Sequence, residues 1–253
     1  MKSADYFSAT AQAYAAFRPS YPDDLIHYLA SCAPGRGLAW DCATGSGQAA
    51  VPLALWFSQV VATDASATQL AHARPHPRVA YRVAPAAASG LDAASVDLVT
   101  VAQALHWLEI DPFYAEVRRV LKPDGVLAVW CYARCRVSPE VDPVIDWFYE
   151  TRVGRCWPPE RAHAESGYRD LPFPFDELPT RNWDMTAQLT RSELVGYFGT
   201  WSAVAVARRS EGVDPIPEVE TRLAPVWSSA TERRSVTWPL TLRVGRWRGT
   251  PER

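Results

Sequence analysis

The chain has 253 residues, of which 48% are hydrophobic and 21% charged, and its formal net charge is -2. This composition is that of an ordinary globular protein and excludes wholesale disorder. A balance so close to neutral also argues against a general attraction to nucleic acid or to an anionic membrane, so we expect neither as a partner.

The five cysteines, Cys32, Cys42, Cys131, Cys135 and Cys156, form no CxxC pair. An odd number without that spacing argues against a disulfide framework and against a zinc site, and we predict no metal. The opening residues, MKSADYFSAT, lack the apolar stretch of a signal peptide, and no run reaches membrane-spanning length. We therefore expect a cytoplasmic protein.

The predicted elements begin with an N-terminal arm and a first helix within residues 1–37. Pro22, Asp23 and Asp24 are typical of a helix start, and Pro34-Gly35 is typical of a stop. From residue 38 onward, strand patterns and helix patterns alternate. The predicted strands are 38–42, 59–64, 79–83, 95–104 and 126–132, and the first two predicted crossover helices are 48–57 and 66–73. Apolar strands that alternate with helices indicate a parallel sheet covered on both faces.

The clearest helical pattern is DPFYAEVRRV, which precedes the last of these strands. Asp111 is its predicted N-cap and Pro112 its first residue, and the sequence from Lys122 to Gly125 is typical of a turn. After residue 133 the alternation of strand and helix patterns stops. Residues 134–180 are rich in proline, tryptophan and arginine, which predicts an insertion that lies over the ligand edge of the sheet.

Two late strands at 180–190 and 235–247, with helices near 191–200 and 216–227, are predicted to complete the sheet. We therefore predict one domain, 1–253, made of four segments. These are an arm and helix (1–37), a cofactor-binding core (38–132), a lid or substrate insertion (133–180), and C-terminal strands and helices (181–253). The arginines of the last segment, Arg243, Arg246, Arg248 and Arg253, are interpreted as a solvated strand edge.

The segment AWDCATGSGQAA, residues 39–50, follows the first predicted strand. In an open parallel sheet, ligands bind at the carboxyl ends of the strands, where the strand order reverses. Gly45 and Gly47 permit positive φ and a close backbone approach. Asp41 would oppose a pyrophosphate but suits a ligand that carries an ammonium group. Asp64, at the end of the second strand, can accept both hydroxyls of a ribose.

A ribose, an amino group and no phosphate together describe S-adenosylmethionine. The dinucleotide fingerprint GxGxxG is absent, because its spacing places Ala43, Gly45 and Gln48 at the glycine positions. Structural alternatives stay open. Asp41 could cap the following turn, Asp64 could cap the helix at 66–73, and His106 could be a packing histidine.

These blocks resemble the class I S-adenosylmethionine-dependent methyltransferases, in the branch of the trans-aconitate methyltransferase and methyltransferase type 11. AWDCATGSGQ, VVATDAS, SVDLVTVAQALHW and VRRVLKPDGVLAVW carry the resemblance, with YAAFRPSYP upstream, over roughly residues 10–132. The resemblance implies an α/β, Rossmann-like sheet of seven mostly parallel strands with an antiparallel last strand. It also implies S-adenosyl-L-methionine as cofactor and S-adenosyl-L-homocysteine as its product.

The resemblance further implies a set of site residues. The cofactor would contact Tyr21, Asp41, Ala43, Gly45, Ser46, Gly47, Asp64, Ala65, Ala86, Ala87, Gln103, Ala104 and Trp107. Tyr14, Arg18 and Arg134 would bind the substrate, and Arg136 and Arg152 are further candidates for holding an anion. His106 is the candidate catalytic base where the acceptor must lose a proton.

Two residues depart from the family pattern. Ala43 replaces the usual first glycine, and we expect the cost to be small because alanine can adopt the required backbone conformation. Ala86-Ala87 lies where an acidic residue often contacts adenine or its surroundings, so adenine would depend on backbone groups and apolar contacts.

The predicted function is methyl transfer to an oxygen, carboxylate or hydroxyl, of a small molecule by a monomer or homodimer. One alternative is a cofactor-binding protein that has lost catalysis, which Ala43 and Ala87 keep open. The other is an NAD-dependent oxidoreductase, against which Asp41 and the broken glycine spacing argue.

Overall fold

The structure is a computed structural model that describes residues 20–132 and 134–249. Within these ranges the chain divides into two compact units. The sheet unit contains residues 20–132, 162–183 and 240–249, and the helical unit contains residues 134–161 and 184–239. The predicted segment 133–180 is therefore shared between the two units, and its role as a lid stays a prediction.

Five parallel strands form most of the sheet unit. They are β1 (Leu38–Cys42), β2 (Gln59–Asp64), β3 (Val79–Val83), β4 (Val96–Ala102) and β5 (Leu121–Tyr132). Their order is β3-β2-β1-β4-β5, and all neighbouring pairs are parallel. Strands such as β4 are buried over nearly their whole length, which explains their continuous apolar sequences. The order reverses between β1 and β4, which is where such a sheet binds ligands.

A long antiparallel strand, β8 (Arg234–Arg246), follows β5 in the sheet. β6 (Asp176–Glu177) pairs antiparallel with β8, and β7 (Trp183–Leu189) also pairs with β8. The predicted Rossmann-like, mostly parallel sheet with an antiparallel last strand is confirmed. Within residues 20–132 and 134–249 the sheet has eight strands, one more than predicted. The additional strand is β6, whose two residues are too few to produce a recognisable sequence period.

The helices of the sheet unit include α1 (Asp23–Cys32), which follows Pro22 and buries Leu25, Ile26 and Leu29. The predicted helix 48–57 was wrong in length, since α2 covers only Ala50–Leu53 and turns follow it. The predicted helix 66–73 is also shorter, as α3 covers Ala67–Leu70. A 3-10 helix, Leu105–Trp107, follows β4.

Three further predicted boundaries around β4 and α4 (Ile110–Val120) are corrected. Glu109, not Asp111, occupies the N-cap of α4, although Asp111 still places a carboxylate in the first turn. β4 ends at Ala102, two residues earlier than predicted, because Gln103 adopts a φ of +56°. The predicted turn after Leu121 is an irregularity within β5, where the register shifts from Val96↔Leu121 to Leu98↔Val126.

The helical unit contains several short helices that its sequence shows poorly. In chain order they are α5 (Asp142–Asp146), a π-helix (Trp147–Arg152), a 3-10 helix (Gly154–Cys156), α7 (Arg191–Gly199), α8 (Ser202–Glu211) and α9 (Ile216–Leu223). α6 (Arg161–Glu165) lies at the unit boundary. The predicted helices near 191–200 and 216–227 match α7 and α9, whereas α8 was not predicted. Aromatic side chains such as Phe148, Phe198 and Trp201 form the core of this unit.

All five cysteines are free thiols, and Cys42 and Cys131 are buried within strands as small apolar residues. In residues 20–132 and 134–249, no helix is both long enough and apolar enough to cross a membrane. Arg243 and Arg248 are ion-paired with Glu177 and Asp176, so the charge of these two arginines is balanced locally.

Candidate cofactor site and active site

The strand registers bring the predicted site residues to one edge of the sheet. Cys42 of β1 pairs with Thr63 of β2 and with Val101 of β4. The turn after β1, the end of β2 and the residues that follow β4 therefore emerge side by side at the carboxyl edge. This is the edge at which parallel α/β sheets bind their ligands.

Asp41 is almost completely buried at the end of β1, with 1% of its surface exposed. Its Oδ2 accepts a hydrogen bond from Thr44 Oγ1, and its Oδ1 accepts one from Thr100 Oγ1 at 2.7 Å. Burial raises the pKa of this carboxyl group to about 6, although both threonine bonds oppose the rise. Through these two bonds, Asp41 links the turn at Thr44 to Thr100 of β4. A direct contact between Asp41 and an ammonium group stays a prediction.

The turn that follows β1 contains three left-handed residues. Ala43, Gly45 and Gly47 have φ values of +54°, +55° and +81°. Alanine does adopt the left-handed conformation expected of the missing glycine, and the small loss of cofactor affinity expected from it stays a prediction. The cost to folding is a separate quantity: a Cβ in the left-handed region crowds the following carbonyl oxygen, which costs roughly 1–2 kcal/mol.

Gly47 lies directly beneath the ring of Tyr81 from β3. A Cβ built on Gly47 would lie 2.2 Å from Tyr81 Oη, so no other residue fits there without movement. Tyr81 Oη donates a hydrogen bond to the Arg74 carbonyl at 2.7 Å, and burial raises the pKa of the phenol to about 12. The sequence pattern did not predict a role for Tyr81 at this turn, because Tyr81 lies in β3 and the turn follows β1, with β2 between them in the sheet.

Asp64 is half-buried at the end of β2 and faces the same turn. Its Oδ2 accepts a hydrogen bond from Gly45 N at 2.9 Å, and its Oδ1 accepts one from Ser66 N at 2.8 Å. Burial raises the pKa of this carboxyl group. The N-cap of α3 is Ser66, whose Oγ accepts the Gln69 N–H, so Asp64 does not itself cap that helix. Each carboxylate oxygen keeps a further lone pair, enough to accept the two hydroxyls of a ribose.

Two buried polar atoms around the turn test whether it suits a nucleoside ligand. Ser46 Oγ and Gln69 Oε1 have no hydrogen-bond partner within the described part of the chain. Buried polar atoms are costly when left unsatisfied, so they favour a polar ligand or a bound water at this turn. With Asp41 and Asp64 beside them, these atoms fit an amino-acid nucleoside better than a phosphate.

Gln103 follows β4 in the left-handed conformation and links the ends of two strands. Its N–H donates to the Trp130 carbonyl, and its side-chain Oε1 accepts the Tyr132 N–H, both at 2.8 Å. The ring of Tyr21 meets the ring of Trp130 edge-on at 5.2 Å. Ala104 and Trp107, predicted with Gln103 to line the methionine part of the cofactor, follow at the same edge and are half-buried.

His106, the candidate base, lies in the 3-10 helix after β4 and is 7% exposed. Its Nδ1 lies 3.0 Å from Tyr168 Oη, and the ring of Trp107 lies 4.7 Å from its own ring. The structure therefore places His106 at the carboxyl edge and shows Tyr168 in contact with it. No sequence feature pointed to that tyrosine, because 62 residues separate the pair.

The loop predicted to lie by adenine is anchored just beyond its two alanines. Ala86 is half-buried and Ala87 is exposed, as is Ala65 beside Asp64. The backbone N–H and the hydroxyl of Ser89 both donate to Glu116 Oε1, at 2.8 and 2.6 Å. Because Arg119 also bonds this carboxylate, the pKa of Glu116 is lowered to about 2. The loop is thus held by α4, while Ala87 stays at the surface and Ala86 packs partly against the core.

The candidate substrate-binding arginines of the helical unit all carry carboxylate partners. Arg134 lies 2.9 Å from Asp146 and 2.6 Å from Glu150. Ion pairs are also made by Arg136 and Arg152, the first with Asp146 and the second with Glu211 and Glu218. The other two candidates, Tyr14 and Arg18, lie outside the described residues.

Comparison with known proteins agrees with this geometry. The profile of a family described as a methyltransferase domain matches residues 40–129. A Dictyostelium discoideum protein named as a methyltransferase is 33% identical over 223 residues, covering 87% of this chain and 85% of the relative. An uncharacterised methyltransferase of Mycobacterium tuberculosis is 32% identical over 192 residues, covering 75% and 73%. A solved structure described as a type II methyltransferase from Anaeromyxobacter dehalogenans superposes with a TM-score of 0.85 at 47% identity, covering 91% and 98%.

The chain belongs to the class I S-adenosylmethionine-dependent methyltransferases. It is an enzyme whose cofactor is S-adenosylmethionine. Membership of this family does not specify the methyl acceptor, because one fold hosts many substrates. The acceptor and the residues that contact the cofactor must therefore be argued from the chemistry of the site.

Proposed function

We propose that this methyltransferase acts on an oxygen of a small molecule, and that a hydroxyl acceptor fits the described residues better than a carboxylate. The main observation that supports this proposal is that three features lie at one edge of the sheet: the Gly45–Gly47 turn, the half-buried carboxylate of Asp64, and His106. The near-neutral net charge of -2 supports a small-molecule acceptor over a nucleic acid.

The cofactor is held by groups on both sides of β1. The oxygens of Asp64 would accept hydrogen bonds from the ribose hydroxyls, and the backbone at Gly45 and Gly47 would allow the nucleoside to approach closely. The buried carboxylate of Asp41 would attract the ammonium group. Ala65, Ala86 and Ala87 would lie by the adenine, and five residues would lie by the methionine part: Tyr21, Ser46, Gln103, Ala104 and Trp107.

When bound, S-adenosylmethionine would supply a methyl group activated by its sulfonium. A lone pair of the acceptor oxygen would form the new C–O bond while the C–S bond breaks and leaves its electron pair on sulfur. The residues of the chain mainly align the reactants, which can be worth ~7–11 kcal/mol. A carboxylate acceptor needs no base. A hydroxyl acceptor must lose its proton, and His106 is the residue proposed to receive it.

The ion pairs of Arg134 bear on the choice of acceptor. An anionic acceptor at this arginine would have to displace Asp146 or Glu150, which already balance its charge. A neutral hydroxylated molecule avoids that competition.

The first experiment measures binding of S-adenosylhomocysteine by calorimetry to the wild type, Asp64→Ala and Asp24→Ala. Asp64→Ala removes an acceptor for two hydroxyls, and we expect its affinity to fall about 10- to 100-fold. Asp24 is 63% exposed and paired with Arg181, so Asp24→Ala should bind like the wild type. No binding by the wild type, or equal binding by Asp64→Ala, would contradict the proposed site.

The second experiment measures S-adenosylhomocysteine production by mass spectrometry with panels of alcohols, phenols, carboxylic acids and amines. We expect turnover with hydroxylated acceptors, and a kcat about 10²–10⁴-fold lower in His106→Gln. Turnover with carboxylic acids alone would contradict the hydroxyl preference. Cofactor binding without turnover on any panel would favour a protein that has lost catalysis.

A further inference from the structure

Gln69 is a buried amide side chain in α3, beside the glycine turn of the sheet unit. Only 5% of its surface is exposed, and its Oε1 has no hydrogen-bond partner among residues 20–132 and 134–249. A buried amide oxygen that is left unpaired costs free energy. A methionine side chain has nearly the same length and would fill the space without that cost. Packing alone therefore does not explain the amide at this position.

Gln69 belongs to the same group of contacts as Asp64. Gln69 N donates to Ser66 Oγ at 3.3 Å, and Ser66 N donates to Asp64 Oδ1 at 2.8 Å. A Cβ built on Gly45 would lie 3.8 Å from Gln69 Oε1, and Gly45 N donates to Asp64 Oδ2 at 2.9 Å. The amide of Gln69 and the carboxylate of Asp64 thus both lie against Gly45.

Ser46, the residue after Gly45, provides a second observation of the same kind. It is 3% exposed, and its Oγ also lacks a hydrogen-bond partner in the part of the chain that the structure describes. The Ser46 carbonyl accepts the Arg74 N–H at 3.3 Å, so the backbone is fixed while the hydroxyl is unpaired. Two unpaired buried side chains at one turn favour a polar ligand that pairs with them.

The chemistry of the Gln69 amide indicates which group of the ligand it pairs with. An amide offers an oxygen that accepts hydrogen bonds and an NH2 group that donates them. A hydroxyl both donates and accepts, so it pairs with the amide whichever way the amide is turned. Asp64, which lies against the same glycine, is an acceptor suited to the hydroxyls of a ribose. A ribose hydroxyl therefore fits both the position and the chemistry of Gln69.

We infer that Gln69 is a further cofactor-binding residue, whose side-chain amide forms a hydrogen bond with one of the two ribose hydroxyls beside Asp64. This inference rests on the proposed function, in which Asp64 accepts the same hydroxyls. Gln69 Oε1 is covered by the surrounding protein, so the amide turns toward the sheet edge as the nucleoside binds. That movement is a rotation of side-chain bonds and needs no change in the backbone. Gln69 thereby favours a ribonucleoside over a deoxynucleoside.

The test measures by calorimetry how the wild type and Gln69→Met bind S-adenosylhomocysteine and its 2′-deoxy and 3′-deoxy analogues. Gln69→Met keeps the length of the side chain and removes the amide. We expect its affinity for S-adenosylhomocysteine to fall about three- to tenfold. With the analogue that lacks the contacted hydroxyl, the two proteins should bind within about twofold of each other, because neither can form the bond. With the other analogue the loss should remain.

Gln59→Met is the matched control, because Gln59 is exposed at the start of β2, at the opposite end of the sheet. It makes the same chemical change and should bind all three ligands like the wild type. The Tm of the ligand-free proteins separates a ligand contact from a structural role. Gln69→Met should have a Tm equal to or above that of the wild type, since it removes an unpaired buried group.

The possible outcomes separate this inference from the proposed function. Unchanged affinity of Gln69→Met for S-adenosylhomocysteine would overturn the role of Gln69, and so would an equal loss with both deoxy analogues. A lower Tm together with unchanged affinity would show that the amide supports the fold instead. Failure of the wild type to bind S-adenosylhomocysteine would overturn the proposed site and this inference together. Weaker binding by Asp64→Ala but not by Gln69→Met would overturn this inference alone.

Discussion

Asp41 and Ala43 lie two residues apart at the end of β1, and each is held in a state that costs free energy. Asp41 is a buried carboxyl group whose pKa is raised to about 6, and Ala43 has a φ of +54°. Ala43 is part of the turn that the proposed cofactor site requires, and Asp41 accepts a hydrogen bond from Thr44 of that turn. Such costs concentrate at functional sites, because a more relaxed residue would not place the same groups around the ligand.

Asp41→Asn should make the ligand-free protein more stable at neutral pH. Because the folded-state pKa of Asp41 is above its ordinary value of 3.8, its contribution to stability is present below about pH 4 and is lost as the pH rises through about 6. Asparagine removes that loss, of order 3 kcal/mol at pH 7. Urea unfolding between pH 4 and 7.5 measures it.

Asp24→Asn, at an exposed carboxylate, serves as the control for Asp41→Asn and should change stability by less than about 0.5 kcal/mol. The gain from Asp41→Asn should be accompanied by weaker binding of S-adenosylhomocysteine, since the ammonium group loses its buried anion. An Asp41→Asn protein less stable than the wild type at pH 7 would show that the two threonine bonds outweigh the burial of the charge.

Ala43→Gly should stabilise the protein by about 0.5–1 kcal/mol. Glycine relieves the crowding of the Cβ at positive φ, and its greater freedom in the unfolded chain offsets part of the gain. The shift in the urea midpoint measures it. Ala94, with a φ of +49°, provides a matched variant, and Ala94→Gly should show a similar gain without any change in cofactor affinity. Loss of stability in Ala43→Gly would mean that the alanine methyl packs usefully.

At the scale of elements, Asp97 of β4 joins three segments at the end of the sheet opposite the site. Its Oδ2 accepts the N–H groups of Gly37 and Leu38 at 2.9 Å, and its Oδ1 accepts Lys122 Nζ at 2.8 Å. The start of β1, the start of β4 and the start of β5 are thereby held together. This carboxylate supports the registers that align the opposite edge.

Asp97→Ala should destabilise the protein by about 2–4 kcal/mol, because it leaves two backbone donors and a lysine without their acceptor. Asp97→Asn keeps an amide oxygen for the backbone donors and should cost roughly half as much. Thermal and urea unfolding measure both variants. Equal stability of Asp97→Ala and the wild type would show that water replaces the carboxylate at no cost.

For the whole molecule, cofactor binding and folding are linked. A ligand that binds only the folded state stabilises it by about 2.7 kcal/mol when present at 100 times its Kd. For a chain of 253 residues this corresponds to an increase in Tm of about 5–10 °C. We expect that increase with S-adenosylhomocysteine and none with NAD, measured by differential scanning fluorimetry. Asp64→Ala should lose it, and an increase with NAD would favour the oxidoreductase alternative.

Local patterns were sufficient for much of the sheet. β1, β2 and β3 have the predicted bounds, because strands of a parallel sheet are buried on both faces and show short continuous apolar runs. The helix predicted at 48–57 failed because the apolar run around Pro52 folds into one short helix and turns. Short elements such as β6 and the π-helix at Trp147–Arg152 leave too few residues for a period to appear.

The sequence by itself determined the family, the parallel core, and the Gly45–Gly47 turn with Asp64 at the next strand end, because these depend on neighbours within a few residues. Only the tertiary structure showed which residues from distant parts of the chain contact the site. Thr100 reaches Asp41 across 59 residues, Tyr81 covers Gly47 from another strand, and Tyr168 contacts His106 from 62 residues away. Sequence spacing does not predict such contacts, because they form only when distant strands and turns pack together.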